Sequence, residues 1–328
     1  MLTLLMLTTC LIQAPDPQPA EAEGQATSAT AKATPREQVD DAWFDRKLAD
    51  ECSAAADRGL RWLKQRQLSS GAWTGYVGHK QGDSYLVLDR SILPEGQRKE
   101  GEGHIGVTAI CGMAFLAGGN LPDRGEHKDV VRLAEKFVVE HSQKSGLLSS
   151  AGTRMYSHAF ATLFLAEVYG MTANERTKQC LERAVNLIID SQNQDGGWRY
   201  NAFDRNTDLS VTVCQLQALR ASRNIGIRVP ADTIAKSMKY VMASRVRNGF
   251  QQGLFYYKIY GRGAYQKCRE YSINAAALTA LASAGVHDDN LCDPVLTFLE
   301  REYESVSDYY GDHFYYWYGN YYAAQGFY

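Results

Sequence analysis

Residues 192–198 read Gln-Asn-Gln-Asp-Gly-Gly-Trp, and this stretch decides the fold of the chain. It follows residues 178–191, where apolar side chains recur every three or four positions, as on one face of an amphipathic helix. Asp-Gly-Gly predicts the end of that helix, because glycine adopts the positive φ angles that helix termini need. Trp198 is expected to fold back over the helix end, and the Gln192 amide to bond backbone groups left unpaired there.

Weaker copies of this helix–glycine–aromatic unit occur along the chain. Further amphipathic helices are predicted over residues 52–67, 128–142, 233–245 and 294–303. Each is followed by a glycine or aromatic terminator, namely Gly71-Ala-Trp73, Gly146-Leu147, Gly249-Phe250 and His313-Phe314. The unit is therefore a repeat rather than a single motif.

A second kind of helix alternates with the first. It is apolar on nearly all sides and begins near His104, Tyr156, Leu209, Tyr271 and Tyr318. Equivalent positions fall at intervals of 50, 54, 62 and 47 residues, at Thr108, His158, Thr212, Asn274 and Tyr321. An apolar helix must be buried between others, whereas an amphipathic helix covers it from outside. The alternation predicts an all-α fold, an (α/α) toroid of five to six helical hairpins with inner and outer helix rings.

The ends of the chain differ from this repeat region. Residues 1–14 are apolar and predict a signal peptide, incomplete because no basic residue precedes the apolar run. Residues 15–40, rich in Ala, Pro and Thr, predict a disordered linker. The toroid domain is predicted over residues 41–328, truncated within its final inner helix. The expected location is the periplasm or the extracellular space, with a lipid anchor at Cys10 as an addition to be tested.

Composition narrows the classes of partner. The formal net charge is -2 and the sequence has no basic stripe, which speaks against nucleic acid as a partner. No stretch reaches the roughly 18 to 20 apolar residues of a transmembrane span. The seven cysteines are scattered without a Cys-x-x-Cys pair, and so neither a disulfide framework nor a metal site is expected. The sequence gives no indication of a cofactor.

Three stretches resemble the prenyltransferase/squalene-oxidase repeat superfamily: the Gln-x-x-Asp-Gly-Gly-Trp unit, LSVTVCQLQAL at residues 209–219, and the aromatic tail FYYWYGNYYAAQGFY at residues 314–328. That superfamily includes terpene cyclases of the hopene-cyclase kind, the β-subunits of protein prenyltransferases, and bacterial toroids of unassigned function. Residues 155–172 and 192–200 are most similar to the bacterial toroids. The resemblance covers about residues 52–328 and implies a fold rather than an activity.

The catalytic signatures of that superfamily are incomplete in this sequence. Its cyclases are similar to one another in a D-x-D-D-T-A motif, which keeps one carboxylic acid protonated for attack on an alkene. Here residues 204–212 read Asp-Arg-Asn-Thr-Asp-Leu-Ser-Val-Thr. Asp208 is therefore the one catalytic candidate, and Leu209 stands where a second carboxylate would be. The D-x-C zinc motif that the prenyltransferases share does not occur in the sequence.

A toroid offers a central cavity for a ligand, with polar side chains at its mouth. Aligning the apolar helices places His104, Arg154, Asp208, Glu270 and Trp317 at corresponding positions near this mouth. The alternative interpretation is that such residues only cap or begin helices. His158 is either a cavity group or a core histidine bonded to a carbonyl. The other candidates for the cavity are Asp204, Tyr256, Tyr257, Tyr271 and Tyr316.

The 20 tyrosines of the chain are compatible with more than one role in that cavity. They either fill space between the last helices or line a pocket, where they would stabilise cations, stack on sugars or contact an apolar ligand. The expected function is that of an exported binding protein for a glycan, an apolar small molecule or a protein partner, without a recognised catalytic motif. The alternative is an enzyme acting on an isoprenoid substrate, with Asp208 as its acid.

Overall fold

The computed structural model describes residues 46–75, 79–81, 84–86, 103–150, 154–259, 268–310 and 314–327. The predicted signal peptide, the predicted linker and Cys10 lie outside these residues. The described residues form ten helices. Their bounds are α1 Arg46–Lys64, α2 Ile105–Ala117, α3 Lys128–Glu140, α4 Arg154–Thr172, α5 Glu175–Asp190, α6 Leu209–Asn224, α7 Ala231–Ala243, α8 Tyr271–Ser283, α9 Asp289–Tyr310 and α10 Phe314–Phe327.

The fold is all-helical, as the sequence predicts, apart from one short antiparallel pair of strands. This pair, β1 His79–Gln81 and β2 Ser84–Leu86, lies in the polar connection between α1 and α2. Of the helices in the described ranges, none combines the length and the apolar character that crossing a membrane requires.

Two kinds of helix alternate along the chain, because two kinds of sequence alternate. Helices α2, α4, α6 and α8 carry apolar or small side chains on nearly every face and are almost entirely buried. Helices α3, α5 and α7 are amphipathic, and each buries one stripe of apolar residues. In α5 that stripe includes Leu181, Val185 and Ile188, while Glu182 faces solvent. The hydrophobic effect therefore places the second kind of helix on the outside of the first.

Helix packing follows the same order. The buried helices pack side by side in the sequence α2, α4, α6, α8 and α10. The amphipathic helices α3, α5, α7 and α9 each pack against the buried helix that precedes them, and α3 also contacts α5. Within the described part of the chain, α10 packs against α8 and α9 and makes no extensive contact with α2. The result is a two-layer array of helical hairpins.

The Gln192–Trp198 stretch closes its hairpin in the predicted way. Trp198 folds back so that its indole nitrogen donates to the Ile188 carbonyl at 2.8 Å. The Gln192 amide donates to the carbonyl of Gly196 and, in the next amphipathic helix, to that of Thr233, both at 2.9 Å. Gly196 has φ = 89°, and a Cβ atom at this position would lie 2.3 Å from the Lys236 carbonyl oxygen. Glycine is therefore required both by the backbone angle and by the close approach of α7.

One hydrogen bond repeats at the predicted equivalent positions of four buried helices. The backbone nitrogen of each closing residue donates to a side chain in the second turn of the next buried helix. The four pairs are Trp73 with Thr108, Leu148 with His158, Trp198 with Thr212, and Phe255 with Asn274. The same contact thus occurs at four of the positions that the sequence spacing aligns, and its cause is a shared need to satisfy one buried N–H group.

Two predicted terminators are wrong. In the fourth repeat the closing aromatic residue is Phe255, two positions after the positive-φ Gly253, whereas Phe250 is 92% exposed. In the last repeat Phe314 is the first residue of α10 and not a terminator. Helix α9 continues to Tyr310, well beyond the predicted end at residue 303, and His313 lies outside the described residues. The proposed equivalence of Tyr321 with Thr108 has no counterpart among the four repeated hydrogen bonds.

Candidate functional site

Asp208 lies at the N-cap of α6 and is fully buried. Its Oδ1 atom accepts hydrogen bonds from the Val211 backbone nitrogen at 3.0 Å and from the Ser210 hydroxyl at 2.7 Å. Its Oδ2 atom is buried and has no hydrogen-bond partner among the described residues. The Oδ1 atom therefore caps the helix, whereas the Oδ2 atom has no hydrogen-bond donor.

Burial raises the pKa of Asp208 above its usual range. The hydrogen bonds from Val211 and Ser210 and the positive charges of Arg199 and Lys258 lower it by smaller amounts. The sequence lacks the second carboxylate that raises an acid's pKa through like-charge repulsion, but here desolvation has the same effect. Asp208 is thus a buried carboxyl group with an increased tendency to hold a proton.

A cluster of tyrosines surrounds this carboxyl group. The Ser210 hydroxyl gives its one proton to Asp208, and so the Tyr156 hydroxyl, 2.5 Å from Ser210 Oγ, must donate to it. The Tyr318 hydroxyl donates to the Ser210 carbonyl at 3.0 Å. The Tyr257 carbonyl accepts from the Leu209 nitrogen at 3.0 Å. Burial raises the pKa of Tyr156, Tyr257 and Tyr318, which keeps these phenols protonated and able to donate.

The tyrosines of α10 fill the space between the buried helices. The ring of Tyr318 lies 6.5 Å from that of Tyr156 on α4, and the ring of Tyr321 lies 5.8 Å from that of Phe160, both in edge-on arrangements. The Tyr322 hydroxyl is 3.1 Å from the Cys214 sulfur on α6. Helix α10 thus packs mainly on α8 while its aromatic side chains reach α4 and α6. Of the two interpretations of the aromatic tail, these contacts match space filling.

The predicted mouth residues are spread over separate helix starts. His104 caps α2, with Nδ1 accepting from the Val107 nitrogen at 3.2 Å. Arg154 begins α4 and donates to the Asn201 side chain. Glu270 occupies the N-cap position of α8, where its carbonyl accepts from the Asn274 side chain at 2.9 Å. Trp317 is 70% exposed on α10. The alternative interpretation, that these residues cap helices, therefore holds for His104 and for the Oδ1 atom of Asp208.

The remaining predicted site residues are placed as follows. The His158 ring is fully buried, with Nδ1 accepting from the Leu148 nitrogen and Nε2 donating to the Ala184 carbonyl, both at 3.1 Å. It is therefore a core histidine and not a cavity group, and burial lowers its pKa to about 4. Asp204 accepts from the Asn206 nitrogen within a turn at 3.0 Å. Tyr271 is buried, while Tyr256 and Tyr316 are half-buried.

Only Asp208 and Tyr257 of the predicted set meet in this cluster. The cluster also contains four residues that the sequence did not predict as site residues: Tyr156, Tyr200, Ser210 and Cys214. Tyr156 and Ser210 lie two residues before the aligned positions His158 and Thr212, so their equivalent places at two helix starts were visible in the sequence.

An exposed aromatic surface covers the cluster. We call it the aromatic rim, and it consists of Arg199, Tyr200, Phe203, Tyr257 and Lys258. The Tyr200 and Tyr257 hydroxyls lie 2.5 Å apart, and the Arg199 guanidinium lies 4.9 Å from the centre of the Tyr200 ring. Tyr200 is 40% and Phe203 65% exposed. Ring faces beside cationic donors can stack on a planar or sugar-like ligand and bond its hydroxyl groups.

A scan against protein-family models finds no match for this chain, and a search of curated proteins finds none either.

Proposed function

We propose that this chain is an exported repeat protein of the (α/α) toroid kind that binds a glycan at its aromatic rim and does not cyclise an isoprenoid. The alternation of buried and amphipathic helices and the repeated closing hydrogen bond support the toroid. Completion of the toroid requires that the two ends of the buried series, α2 and α10, be joined directly or by further helices.

One observation carries the choice of binding over cyclisation. The rings of Tyr318, Tyr321 and Tyr322 occupy the space between α4, α6 and α8, where an isoprenoid chain would have to fold. An apolar substrate needs an open apolar pocket that buries most of its surface. The rim instead offers accessible aromatic rings beside two cations.

The composition of the rim favours a glycan over an apolar ligand. The exposed rings of Tyr200 and Phe203 can cover the apolar face of a sugar, while Arg199 and Lys258 can donate to its hydroxyl or carboxylate groups. The Tyr200–Tyr257 hydroxyl pair adds one further donor and acceptor.

Binding of an oligosaccharide panel by calorimetry tests this function. The panel contains neutral and acidic oligomers of glucose, mannose and N-acetylglucosamine. We expect Tyr200→Ala to weaken the best binder about three- to tenfold, because one ring stack contributes about 0.5 to 1.5 kcal/mol. Phe250→Ala is the matched control, since Phe250 is an exposed aromatic residue outside the rim. Equal binding by both variants, or no binding by the folded wild-type chain, contradicts the proposal.

A second candidate function is acid catalysis by Asp208. The observation in its favour is the buried Oδ2 atom without a donor, on a carboxyl group that burial makes more basic. Incubation with squalene, and with a prenyl diphosphate plus zinc, tests it directly. A new product that Asp208→Asn abolishes would establish the enzyme, whereas unchanged substrate with both probes removes these two activities.

Export is tested by the location and the mature N-terminus of the full-length protein. Cleavage near residue 14 and recovery from the periplasm or the medium are the expected results, from the apolar character of residues 1–14. A diacylglyceryl mass on Cys10 would show a lipid anchor instead, and an uncleaved cytoplasmic chain would contradict export.

A further inference from the structure

Cationic side chains lie on and beside the aromatic rim. In the described part of the chain they are Arg154, Arg199, Arg205 and Lys258. Arg205 is on the loop that carries Tyr200, and Arg154 donates to Asn201 of the same loop. Among the described residues, none of the four cations forms an ion pair. Arg132 on α3, by contrast, pairs with Asp129 at 2.8 Å. The rim therefore carries positive charge that the described protein groups leave unpaired.

The backbone holds both segments of the rim against the starts of buried helices. The Tyr200 carbonyl accepts from the Met155 nitrogen at the start of α4 at 3.2 Å. The Tyr257 carbonyl accepts from the Leu209 nitrogen at the start of α6 at 3.0 Å, and the contact between the two tyrosine hydroxyls joins the segments. The two cations of the rim are the chain neighbours of these tyrosines, and they therefore lie on one ordered surface.

A ligand can reach both of these cations. The Nη1 atom of Arg199 is buried without an acceptor among the described residues. Its Nε and Nη2 atoms also have no acceptor there, but they are not buried and so face solvent. The Lys258 ammonium group is not buried either, and it lies 5.9 Å from the centre of the Tyr257 ring. The rim thus offers charged donors beside exposed aromatic rings.

Two carboxyl groups lie close to these cations, and they do not cancel the positive charge. Asp204 accepts from the Asn206 nitrogen within its own turn. Asp208 is fully buried, and burial raises its pKa, which favours the neutral form. Residues 199–208 and 254–259 contain no other carboxyl side chain. Four cations against two carboxyl groups leave a net positive charge even when both carboxyl groups are ionised.

Phe203 supports the presence of a ligand at this surface. Its φ angle of 62° lies in the left-handed region, which is unusual for a bulky side chain. The ring is nevertheless 65% exposed, so packing of the ring does not repay this backbone strain. Strained residues of this kind cluster at sites that hold ligands.

We propose that the glycan of the rim is acidic, and that its carboxylate pairs with Arg199 and Lys258 while a sugar ring stacks on Tyr200. This inference rests on the proposed function and names the chemical class of its ligand. A carboxylate accepts two hydrogen bonds from one guanidinium group, and such charge-assisted bonds are stronger than bonds between neutral groups. A neutral sugar would leave the cations of the rim without a counter-charge.

Calorimetric titration of the full chain with matched acids and esters tests the proposal. The probes are the trimers of glucuronate and of mannuronate, the methyl esters of both trimers, and tricarballylate, which has three carboxylates and no sugar. In about 50 mM salt we expect an acidic trimer to bind about tenfold more tightly than its ester, and in about 0.5 M salt this preference should decrease.

Each other outcome overturns a stated part of the proposal. An ester that binds as tightly as its acid would leave a glycan site but overturn its preference for acidic sugars. Binding of tricarballylate as tight as that of the trimers would show an anion site that does not recognise sugar. No saturable binding of any probe to folded protein overturns the acidic ligand, and the neutral oligosaccharides of the panel then decide the proposed function separately.

Variants that remove one charge locate the carboxylate. Arg199→Gln and Lys258→Gln should each lower the affinity for the acid about three- to tenfold, and the affinity for the ester less than about twofold. Lys144→Gln is the matched control, because it removes the same charge from an exposed lysine in another repeat. Equal weakening by Lys144→Gln, or unchanged acid binding in both rim variants, overturns the assignment. Tyr200→Ala should weaken the acid and the ester alike, which distinguishes ring stacking from charge pairing.

Discussion

The Thr212 hydroxyl accepts a hydrogen bond from the backbone nitrogen of Trp198 at 3.2 Å, and thereby fixes α6 to the chain that closes the preceding hairpin. The same hydroxyl donates to the Asp208 carbonyl at 2.7 Å. Thr108 and Asn274 accept from Trp73 and Phe255 in the corresponding way, at 3.0 and 2.9 Å. The array is therefore held by one polar contact per repeat in addition to apolar burial.

Replacing Thr212 by valine should destabilise the protein by about 1 to 3 kcal/mol, because it leaves the buried Trp198 N–H without an acceptor. The shape of the side chain is retained, so the loss measures the hydrogen bond. The free energy of unfolding in urea is the measurement. Thr172→Val is the control, since the Thr172 hydroxyl bonds only a carbonyl of its own helix, that of Val168. Equal stabilities of the two variants would contradict the role assigned to Thr212.

A comparison of Gly196 with Gly226 distinguishes the energetic cost of a left-handed backbone from the cost of a steric clash. They have nearly equal φ angles, 89° and 86°, but a Cβ atom at Gly226 would meet nothing within 4 Å. Gly226→Ala should cost about 1 to 2 kcal/mol from the left-handed backbone alone. Gly196→Ala should cost at least about 2 kcal/mol more, because its methyl group would collide with the Lys236 carbonyl on α7. Thermal unfolding of both variants checks this order, and a Gly196→Ala change no larger than that of Gly226→Ala would refute it.

Asp208 is expected to tolerate asparagine better than alanine. Asparagine keeps the oxygen that accepts from Val211 and removes a buried charge that lacks a second donor. Alanine removes the cap, which should cost about 1 to 2 kcal/mol. Urea unfolding at neutral pH compares the two variants. A larger loss for asparagine than for alanine would mean that the charge itself stabilises this region.

Sequence periodicity predicted the two kinds of helix and four of the equivalent positions, because the closing residue, the buried helix and their spacing are all local. It could not choose between Gly249 and Gly253, since the choice depends on which glycine meets α9. A Cβ atom at Gly253 would lie 2.6 Å from Pro294, whereas Gly249 has open space. Glu167 was visible as a charge in an apolar helix, but only the packing of the helix ends places it in one cleft lining with Gln217.

His158 should titrate near pH 4, since burial lowers its pKa to about that value from 6.5. Because the folded protein binds this proton less readily than the unfolded chain, stability from this group decreases as the pH falls from 6.5 through 4. The full effect is about 3 kcal/mol at about 1.4 kcal/mol per pKa unit. A histidine ring titration by NMR is the direct measurement. Titration of His158 near pH 6.5 would show that its ring is not held between Leu148 and Ala184.

Glu167 should act in the opposite sense over nearly the same pH interval. Its pKa is raised from 4.5 to about 7, so the folded protein holds this proton more readily than the unfolded chain, and stability is lost as the pH rises through 7. The loss approaches about 3 kcal/mol, which offsets most of the gain from deprotonating His158.

Glu167→Gln should remove this loss of stability at rising pH, so that the contribution of His158 to the pH dependence becomes measurable. Relative to wild type, the variant should gain stability from about pH 5 to pH 8 by up to about 3 kcal/mol. Urea midpoints at several pH values measure the difference, with Glu182→Gln on the solvent face of α5 as control. Parallel pH profiles of Glu167→Gln and wild type would show that the Glu167 carboxyl group is charged or paired in the folded protein.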